Sequence, residues 1–383
     1  MVNATSVFSM QTSKSSRVHI AILGNCNSGK SSLINALTGQ NTAIVSSIAG
    51  TTTDPVSKAV ELTGVGAALL IDTPGCDDNT PLASQRAEQA ERVLAKSDIA
   101  VVLLPVSKEF EAKIAALEIP TIWVASKADI SPAPTDTNRE VIAISSHTGE
   151  GLDALRKAIA AAVTEDNRLI TEGICSSGDC VMLVMPQDGS APKGRLIKPQ
   201  VEVIRELLDR GCMPICCTPD SMAAALATLA APPKVIITDS SAFAAVKALQ
   251  PQGTALTSFS ILFARYKGDI ELFKQGAQVL LSLPPTAHIL IAEACSHTPQ
   301  SEDIGRVKLP RLLKKRLGEG VVIDIVGGED FPQQLTEYDL IIHCGACMFN
   351  RRYVLSRVAK AKAQGVPMTN YGLAIAALLG IEH

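Results

Sequence analysis

The chain has 383 residues and a formal net charge of −3, so it lacks the strongly basic surface that is typical of nucleic-acid binding. It is 46% hydrophobic but only 3% aromatic, which means that Leu, Ile, Val and Ala must fill the cores of two or three domains. No apolar run approaches the roughly 20 residues that span a bilayer, so a membrane is not an expected partner. Because the chain is not basic, nucleic acid is not an expected partner either.

Residues 1–17 are polar and rich in Ser and Thr. They have neither the apolar region nor the cleavage site of a secretory signal. We therefore expect a short disordered arm and a cytoplasmic protein. In a reducing cytoplasm the ten cysteines are expected as ligands or buried thiols rather than as disulfides.

The first predicted strand, VHIAIL, leads into GNCNSGKSS and then into the helical pattern LINALTG. This is Gly-x-x-x-x-Gly-Lys-Ser in the strand–loop–helix context of a phosphate-binding loop. Gly24 and Gly29 let backbone N–H groups face a phosphate, Lys30 reaches the β- and γ-phosphates, and Ser31 offers a hydroxyl to Mg²⁺. The predicted phosphate-binding residues are Gly24, Asn25, Asn27, Ser28, Gly29, Lys30, Ser31 and Ser32.

Two further loops follow in the order that a P-loop GTPase requires. GTTTD offers Thr51 or Thr52 as a hydroxyl ligand to Mg²⁺, and we favour Thr52. ALLIDTPG predicts a buried strand that ends at Asp72, placed to hold the Mg²⁺ shell, with Gly75 near the γ-phosphate. The predicted catalytic residues are Lys30, Thr52, Asp72 and Gly75.

The last two loops of this domain carry the expected base specificity. TIWVASKAD predicts a strand that is followed by Ser126, Lys127 and Asp129. Asp129 is placed to accept hydrogen bonds from the N1 and 2-amino groups of guanine, and Lys127 to pack along the base. VIAISSHTGEG supplies Ser145 and Ser146 as the final base-binding loop.

These motifs make residues 18–166 resemble the GTPases of the Era and MnmE type. Ser126 stands where that family has Asn, which alters one base contact; adenine is a weaker alternative, because its acceptor N1 would face Asp129. Cys76 stands where Ras-like enzymes place a water-positioning Gln. The resemblance implies that Asn27 holds a K⁺ ion instead, so we expect hydrolysis of GTP that K⁺ accelerates and Na⁺ does not.

A small α/β domain is predicted over residues 167–265, because apolar strands alternate there with stretches of helical period. Nothing in it has a catalytic arrangement. Cys212, Cys216 and Cys217 lie in or beside a predicted strand. We interpret them as core thiols, with metal ligation as the alternative.

The remaining residues, 266–383, alternate strands and helices again, which predicts a parallel sheet with helices on both faces. Cys295 and His297 follow one apolar strand. His343, Cys344 and Cys347 end or follow another. Since ligands bind at the carboxyl ends of the strands in such sheets, we expect the three cysteines at one edge.

The pattern Cys-x-His…His-Cys-x-x-Cys leaves several kinds of site open. A closed zinc site with three cysteines and a histidine is one candidate. A [4Fe–4S] cluster on three thiolates, with one iron weakly ligated, is another. A redox pair is disfavoured, because a thioredoxin-like motif needs no distant Cys295, and unconnected thiols remain the simplest alternative.

A GTPase domain, a small middle domain and this cysteine pattern together resemble the HydF family of [FeFe]-hydrogenase maturation GTPases. The resemblance implies a three-domain α/β scaffold whose middle domain forms a homodimer. It also implies that Cys295, Cys344 and Cys347 bind a [4Fe–4S] cluster, and that the partners are radical-SAM maturases and apo-[FeFe]-hydrogenase. For the fourth cluster ligand the candidates are His343, which we favour, His297, and Asp188 of the middle domain. The implied cofactors are GTP, Mg²⁺, K⁺ and the [4Fe–4S] cluster.

Overall fold

The computed structural model describes residues 17–39, 46–48, 57–75, 83–131, 139–163, 168–188, 194, 196–294, 303–328 and 330–381. Several predicted features lie outside the described residues: the arm as far as residue 16, Thr51, Thr52, Cys76, Cys295 and His297. The chain forms two compact units, Met1–Asp166 and Asn167–His383.

The first unit contains a seven-stranded sheet in the order β2-β3-β4-β1-β5-β6-β7. Its strands are β1 (Val18–Gly24), β2 (Ser46–Ile48), β3 (Ser57–Leu62), β4 (Gly66–Asp72), β5 (Ile99–Leu104), β6 (Thr121–Ala125) and β7 (Val141–Ala143). Its helices are α1 (Lys30–Gly39), α2 (Ala83–Leu94), α3 (Lys108–Ala116) and α4 (Leu152–Ala162). The pairs β2–β3 and β3–β4 are antiparallel, and the remaining pairs are parallel.

The central strand β1 is apolar at successive positions because both of its faces are covered. Ile20 and Ile22 belong to a core cluster that includes Leu33 of α1. Ala21 belongs to a second cluster, which includes Leu94 of α2. The strand is thereby fixed from both sides, and its carboxyl end presents the phosphate loop at the edge of the sheet.

The second unit contains two four-stranded sheets, all of whose strand pairs are parallel. Its strands are β8 (Cys180–Val184), β9 (Met213–Cys217), β10 (Val235–Thr238), β11 (Ala255–Ser258), β12 (His288–Ala292), β13 (Val322–Val326), β14 (Leu340–His343) and β15 (Met368–Asn370). Its helices are α5 (Lys198–Asp209), α6 (Met222–Ala227), α7 (Phe243–Leu249), α8 (Phe259–Lys267), α9 (Ile270–Ser282), α10 (Leu309–Leu317), α11 (Arg351–Ala363) and α12 (Tyr371–Leu378).

The two sheets of the second unit have the same strand order. One runs β11-β10-β8-β9 and the other β15-β14-β12-β13, so in each the first strand lies between the second and the third. Each sheet therefore has a topological switch point between its first and third strands, where a crevice for ligands opens at the carboxyl ends. The second switch point lies between β12 and β14, the strands that precede the two groups of cysteine and histidine residues.

Helix α8 joins the two sheets of the second unit, and the predicted boundary at 265/266 falls inside it. Leu262 and Phe263 pack in the cluster around the first sheet. Ile261 and Ala264 pack in the larger cluster, which reaches into the second sheet. No helix was predicted at this position from the sequence.

Candidate functional site

The phosphate loop follows β1 and ends where α1 begins at Lys30. Gly24 has φ +148°, and a Cβ at this position would lie 2.8 Å from both the Leu103 carbonyl oxygen and Ser28 Oγ. Gly29 has φ +95°, and the exposed Asn27 also adopts a left-handed backbone, with φ +58°. The backbone at these two positions of the motif therefore favours glycine.

The residues predicted to hold phosphate and Mg²⁺ lie together. Lys30 is 8% exposed, and its Nζ donates to the carbonyls of Gly24 (2.9 Å) and Asn25 (2.7 Å). Ser31 Oγ donates to Asp72 Oδ2 over 2.6 Å. This contact follows from the sheet, because Asp72 pairs in register with Ile22 of β1. A hydroxyl in the first turn of α1 and a carboxylate at the end of β4 are thus hydrogen-bonded to each other next in sequence to the buried Lys30.

The loops predicted to bind the base are joined to each other and to the phosphate loop. Ser126 Oγ donates to the Ser28 carbonyl over 2.7 Å. The N–H of Ala128 donates to the Ile144 carbonyl over 3.0 Å. A hydrogen bond from the Ser145 side chain lowers the pKa of the exposed Asp129, which keeps this carboxylate charged.

Four more of the predicted nucleotide-binding positions lie within the described residues. Lys127 is exposed and left-handed, with φ +61°. Gly75 and Ser146 are half-buried, the former three residues beyond β4 and the latter next to Ser145. Ser32 is exposed in the first turn of α1.

In the second unit, the ends of β12 and β14 meet at the cysteines. Ala292 pairs in register with His343, and the N–H of Cys344 donates to the Ala292 carbonyl over 3.0 Å. Cys344 Sγ accepts hydrogen bonds from the N–H groups of Ala294 (3.0 Å) and Ala346 (3.4 Å). Ala294 directly precedes Cys295 in the sequence, so the residue bonded to Cys344 Sγ is also the neighbour of the third cysteine of the pattern.

Residues 344–350, hereafter the cysteine loop, connect β14 to α11. Cys344 and Cys347 are both half-buried. Ala346, between them, has φ +47° and is buried. Asn350 ends the loop by accepting the N–H of Tyr353 over 3.2 Å as the cap of α11.

Both ring nitrogens of His343 are engaged. Nδ1 donates to the Cys344 carbonyl over 2.7 Å, and Nε2 accepts from the Arg357 guanidinium over 3.0 Å. Burial, reinforced by the charge of Arg357, lowers the pKa of His343 to about 3, so the ring is neutral. A metal bond to His343 would require one of these hydrogen bonds to break.

Asp188, the oxygen-donor candidate, lies four residues beyond β8, the first strand of the other sheet. Its Oδ2 accepts from Ser241 Oγ over 3.1 Å, and Lys308 Nζ lies 3.9 Å away. Asp239, which follows β10, is close enough for the two carboxylates to repel each other. Burial, followed by this repulsion, raises the pKa of Asp239 to about 6, while a hydrogen bond from Gln200 opposes the shift.

Sequence reasoning missed several groups beside the cysteines. Glu293 is 4% exposed and pairs through Oε2 with Arg306 Nε at 3.1 Å. Tyr371 OH lies 3.5 Å from Glu293 Oε1, and burial raises its pKa. Lys267 Nζ donates to carbonyls of the cysteine loop. These contacts join residues that are distant in sequence, so no local motif could have indicated them.

Two absences apply only to the described parts of the chain. Within the ranges given above, no three His, Cys, Asp or Glu side chains form a metal-binding group. The cysteine pattern includes Cys295, which lies outside those ranges. Among the described helices, none is both long and apolar enough to cross a membrane.

Comparison with known proteins gives the class of the first unit. A family model described as a 50S ribosome-binding GTPase matches residues 19–127. The tRNA modification GTPase MnmE of Xanthomonas oryzae pv. oryzae is 36% identical over 147 residues, which are 36% of this chain and 32% of that protein. MnmE of Thermus thermophilus is 36% identical over 145 residues, covering 38% and 33%. The chain thus spans about a third of the length of these curated relatives.

Among solved structures, a variant of Aquifex aeolicus Era bound to GDP·AlF₄⁻ is similar at 21% identity, with a TM-score of 0.32; the match covers 52% of this chain and 92% of that one. The G domain of the T. maritima FeoB iron transporter is similar at 25% identity, with a TM-score of 0.31, covering 39% and 99%.

The fold and loops of the first unit, together with the family model that matches it, define a P-loop GTPase. Two more family models cover most of the second unit: the hydrogen maturase F dimerization domain matches residues 170–268, and the hydrogen maturase F tetramerization domain matches residues 271–382. These two models together match more than half of the chain, which therefore belongs to the hydrogen maturase F (HydF) family. The family resemblance and the three-part α/β architecture predicted from the sequence are confirmed.

Proposed function

We propose that this protein is a GTP-hydrolysing scaffold that binds a [4Fe–4S] cluster, and that assembles and delivers the di-iron subcluster of [FeFe]-hydrogenase. The observation that carries the proposal is the hydrogen bond from Ala294 N–H to Cys344 Sγ. It joins the two strand ends that carry the cysteines, in a chain whose second unit matches the hydrogen maturase F domains.

The nucleotide half of the function rests on the first unit. The buried Lys30 pairs with the β- and γ-phosphates, while Ser31 and Asp72 hold the Mg²⁺ that neutralises charge on them. Gly75 approaches the γ-phosphate, and Thr52 completes the Mg²⁺ ligands. Asp129 accepts hydrogen bonds from guanine, and Ser145 and Ser146 complete the base-binding site. Asn27, which is exposed in the phosphate loop, holds K⁺.

The cluster half rests on the fit of the cysteine loop to thiolate ligation. Two backbone N–H groups point at Cys344 Sγ, which is how proteins stabilise the negative charge of cluster sulfurs. Cys347 is half-buried and accessible, and Cys295 supplies the third thiolate. The cluster, when bound, supplies an iron atom with an exchangeable ligand. His343 is engaged at both nitrogens, so the fourth ligand falls to His297 or Asp188 unless the Arg357 bond breaks.

The names of the two matching domains support an oligomer, and we place the homodimer contact in the region of residues 170–268. The partners are then radical-SAM maturases, which build the di-iron precursor, and apo-hydrogenase, which receives it. The site of action is the cytoplasm.

Anaerobic reconstitution with iron and sulfide tests the cluster. Wild-type protein should bind about four iron atoms per chain and develop the broad visible absorbance of a [4Fe–4S] cluster. Cys344→Ser should abolish the absorbance, whereas Cys216→Ser, at an exposed cysteine of the middle sheet, should leave it unchanged. If the protein is colourless and binds stoichiometric zinc, the cluster proposal is wrong. The chain would then be an assembly or regulatory GTPase with a structural zinc site.

Steady-state GTP turnover tests the nucleotide half separately. Lys30→Ala removes the only side chain that the motif aims at the β- and γ-phosphates, so turnover should fall by about 100-fold or more. Unchanged turnover would mean that hydrolysis does not occur at this loop.

A further inference from the structure

Lys267 is the last residue of α8, and its side chain enters the cysteine loop. The residue is 4% exposed. Its Nζ donates to the carbonyls of Ala346 (2.8 Å) and Phe349 (2.7 Å), which lie 79 and 82 residues further along the chain. The ammonium also lies 5.3 Å from the ring centroid of Phe263, one turn earlier on α8. Lys267 thus links the helix that joins the two sheets to the loop that carries Cys344 and Cys347.

One of the two carbonyls that Lys267 binds belongs to Ala346, the residue at which the cysteine loop turns. Ala346 is in the left-handed region, which costs energy for a residue with a Cβ and persists only when its surroundings hold it. The N–H of this same residue points at Cys344 Sγ. By fixing the Ala346 peptide from its carbonyl side, Lys267 supports the left-handed turn that directs an N–H group to the sulfur.

A buried ammonium is costly unless its charge is compensated. Burial, followed by repulsion from Lys198, lowers the pKa of Lys267 to about 8, while Glu202 and the sulfurs of Cys347 and Cys344 act in the opposite direction. The side chain is therefore largely protonated at neutral pH. An aliphatic side chain would pack here without that cost but would leave the buried Ala346 carbonyl and the partly buried Phe349 carbonyl without their donor.

We propose that Lys267 is a positioning residue for the cluster: it fixes the cysteine loop in its ligating shape and places one buried positive charge beside the thiolates. This inference rests on the proposed binding of a [4Fe–4S] cluster. A one-electron reduction makes the cluster more negative, so a fixed nearby cation favours the reduced form and raises the reduction potential. If Lys267 served packing alone, replacing it would change the stability of the protein and leave the reduction potential of the cluster unchanged.

The test uses the full-length protein, reconstituted anaerobically, in four forms, of which the wild type is the first. Lys267→Met removes the charge and both hydrogen bonds while keeping the length of the side chain. Lys267→Arg keeps the charge. Lys274→Met, at an exposed lysine of α9 that pairs with Glu271, is the matched control for loss of one positive charge in the same unit. Each form is measured for iron per chain, for thermal unfolding before reconstitution, and for the midpoint potential in an EPR-monitored titration with dithionite.

The expected result separates charge from packing. At a fixed potential, Lys267→Met should lower the ratio of reduced to oxidised cluster by about tenfold, equivalent to about 59 mV for a one-electron couple. Lys267→Arg and Lys274→Met should stay near the wild-type midpoint. A folded Lys267→Met protein that no longer holds four irons, beside a control that does, also supports the proposal.

The Lys267 proposal would be overturned if Lys267→Met bound as much iron as the wild type and kept its midpoint potential, whatever the change in thermal stability. If Lys267→Met does not fold, Lys267→Gln, which is polar but neutral, replaces it. In that comparison, equal midpoints for the Gln and Arg variants would overturn the proposal. Failure of the wild type itself to form a cluster would instead refute the proposed function, so the two failures are distinguishable.

Discussion

The Ser126 hydroxyl donates to the Ser28 carbonyl over 2.7 Å, across 98 residues of sequence, and ties the base-binding loop to the phosphate loop. From the sequence, Ser126 is a departure from the Asn of related GTPases that alters one base contact. The structure adds a role for its hydroxyl, which holds the loop carrying Lys127 and Asp129 against the phosphate loop. The short side chain therefore keeps a bridging hydrogen bond between the two halves of the nucleotide site.

Loss of this bridge should weaken nucleotide binding. Ser126→Ala removes one hydrogen bond and leaves a carbonyl acceptor unpaired, which costs about 0.5–1.5 kcal/mol, or roughly 2- to 10-fold in Kd. Calorimetric titration with GDP measures the effect, and Ser282→Ala, at an exposed serine of α9, should bind like the wild type. A Kd for Ser126→Ala within error of the wild type would mean that the bridge does not stabilise the bound state.

The proposed K⁺ site makes a prediction about salts. GTP turnover should be faster in KCl than in NaCl at equal ionic strength, because K⁺ at Asn27 would add positive charge beside the phosphates. Asn27→Ala should remove the difference between the salts while leaving the slower rate in NaCl unchanged. Initial rates of phosphate release at matched salt concentration provide the measurement, with Lys30→Ala as the inactive background. Equal turnover of the wild type in the two salts would refute K⁺ activation.

The strands that lead into both candidate sites could be predicted from the sequence, because parallel strands covered on both faces read as apolar runs. The runs at Val18–Gly24 and Leu340–His343 locate the two sites. Helix α8 was missed, since FSILFARYK is apolar on several sides and has no stripe of helical period. The antiparallel strand β3, SKAVEL, was missed because only part of it is buried.

Some residues of the candidate sites could likewise be predicted from the sequence and others could not. Motif residues such as Lys30 and Asp72 are identifiable because their chemistry depends on local spacing. Lys267 and Arg357 act on the cysteine loop from other elements, so their roles appear only when the chain folds. The same applies to His343. Its position next to Cys344 suggested that it is a cluster ligand, but the Arg357 guanidinium, on helix α11, donates a hydrogen bond to its Nε2.

Cys212 should behave as a core thiol. It is 5% exposed, and its Sγ lies 3.7 Å from that of Cys175 and 3.2 Å from the Ser176 carbonyl oxygen. Burial, first of all, raises the pKa of Cys212 from its ordinary value to about 11, so about 100-fold less of it is thiolate at neutral pH. Alkylation with iodoacetamide, followed by peptide mass spectrometry, should label the exposed Cys26 long before Cys212.

In urea-unfolded protein the two cysteines should react at similar rates, which controls for the local sequence. Reaction of Cys212 in the folded protein at the rate of Cys26 would contradict its assignment as a core thiol. It would also reopen metal ligation for this group of cysteines.

Replacement of His343 tests which residue is the fourth cluster ligand. With Nδ1 donating to the Cys344 carbonyl and Nε2 accepting from Arg357, His343→Ala removes both hydrogen bonds, and we expect unfolding to become easier by about 1–3 kcal/mol. Because the ring is already engaged, the EPR line shape of the reduced cluster should stay that of the wild type, whereas His297→Ala or Asp188→Ala should change it. Urea unfolding and EPR of the reconstituted variants provide the two measurements, and Ser356→Ala, at a half-buried serine of α11, is the control for substitutions near the site. A changed line shape in His343→Ala alone would identify His343 as the ligand and require its bond to Arg357 to break when the cluster binds.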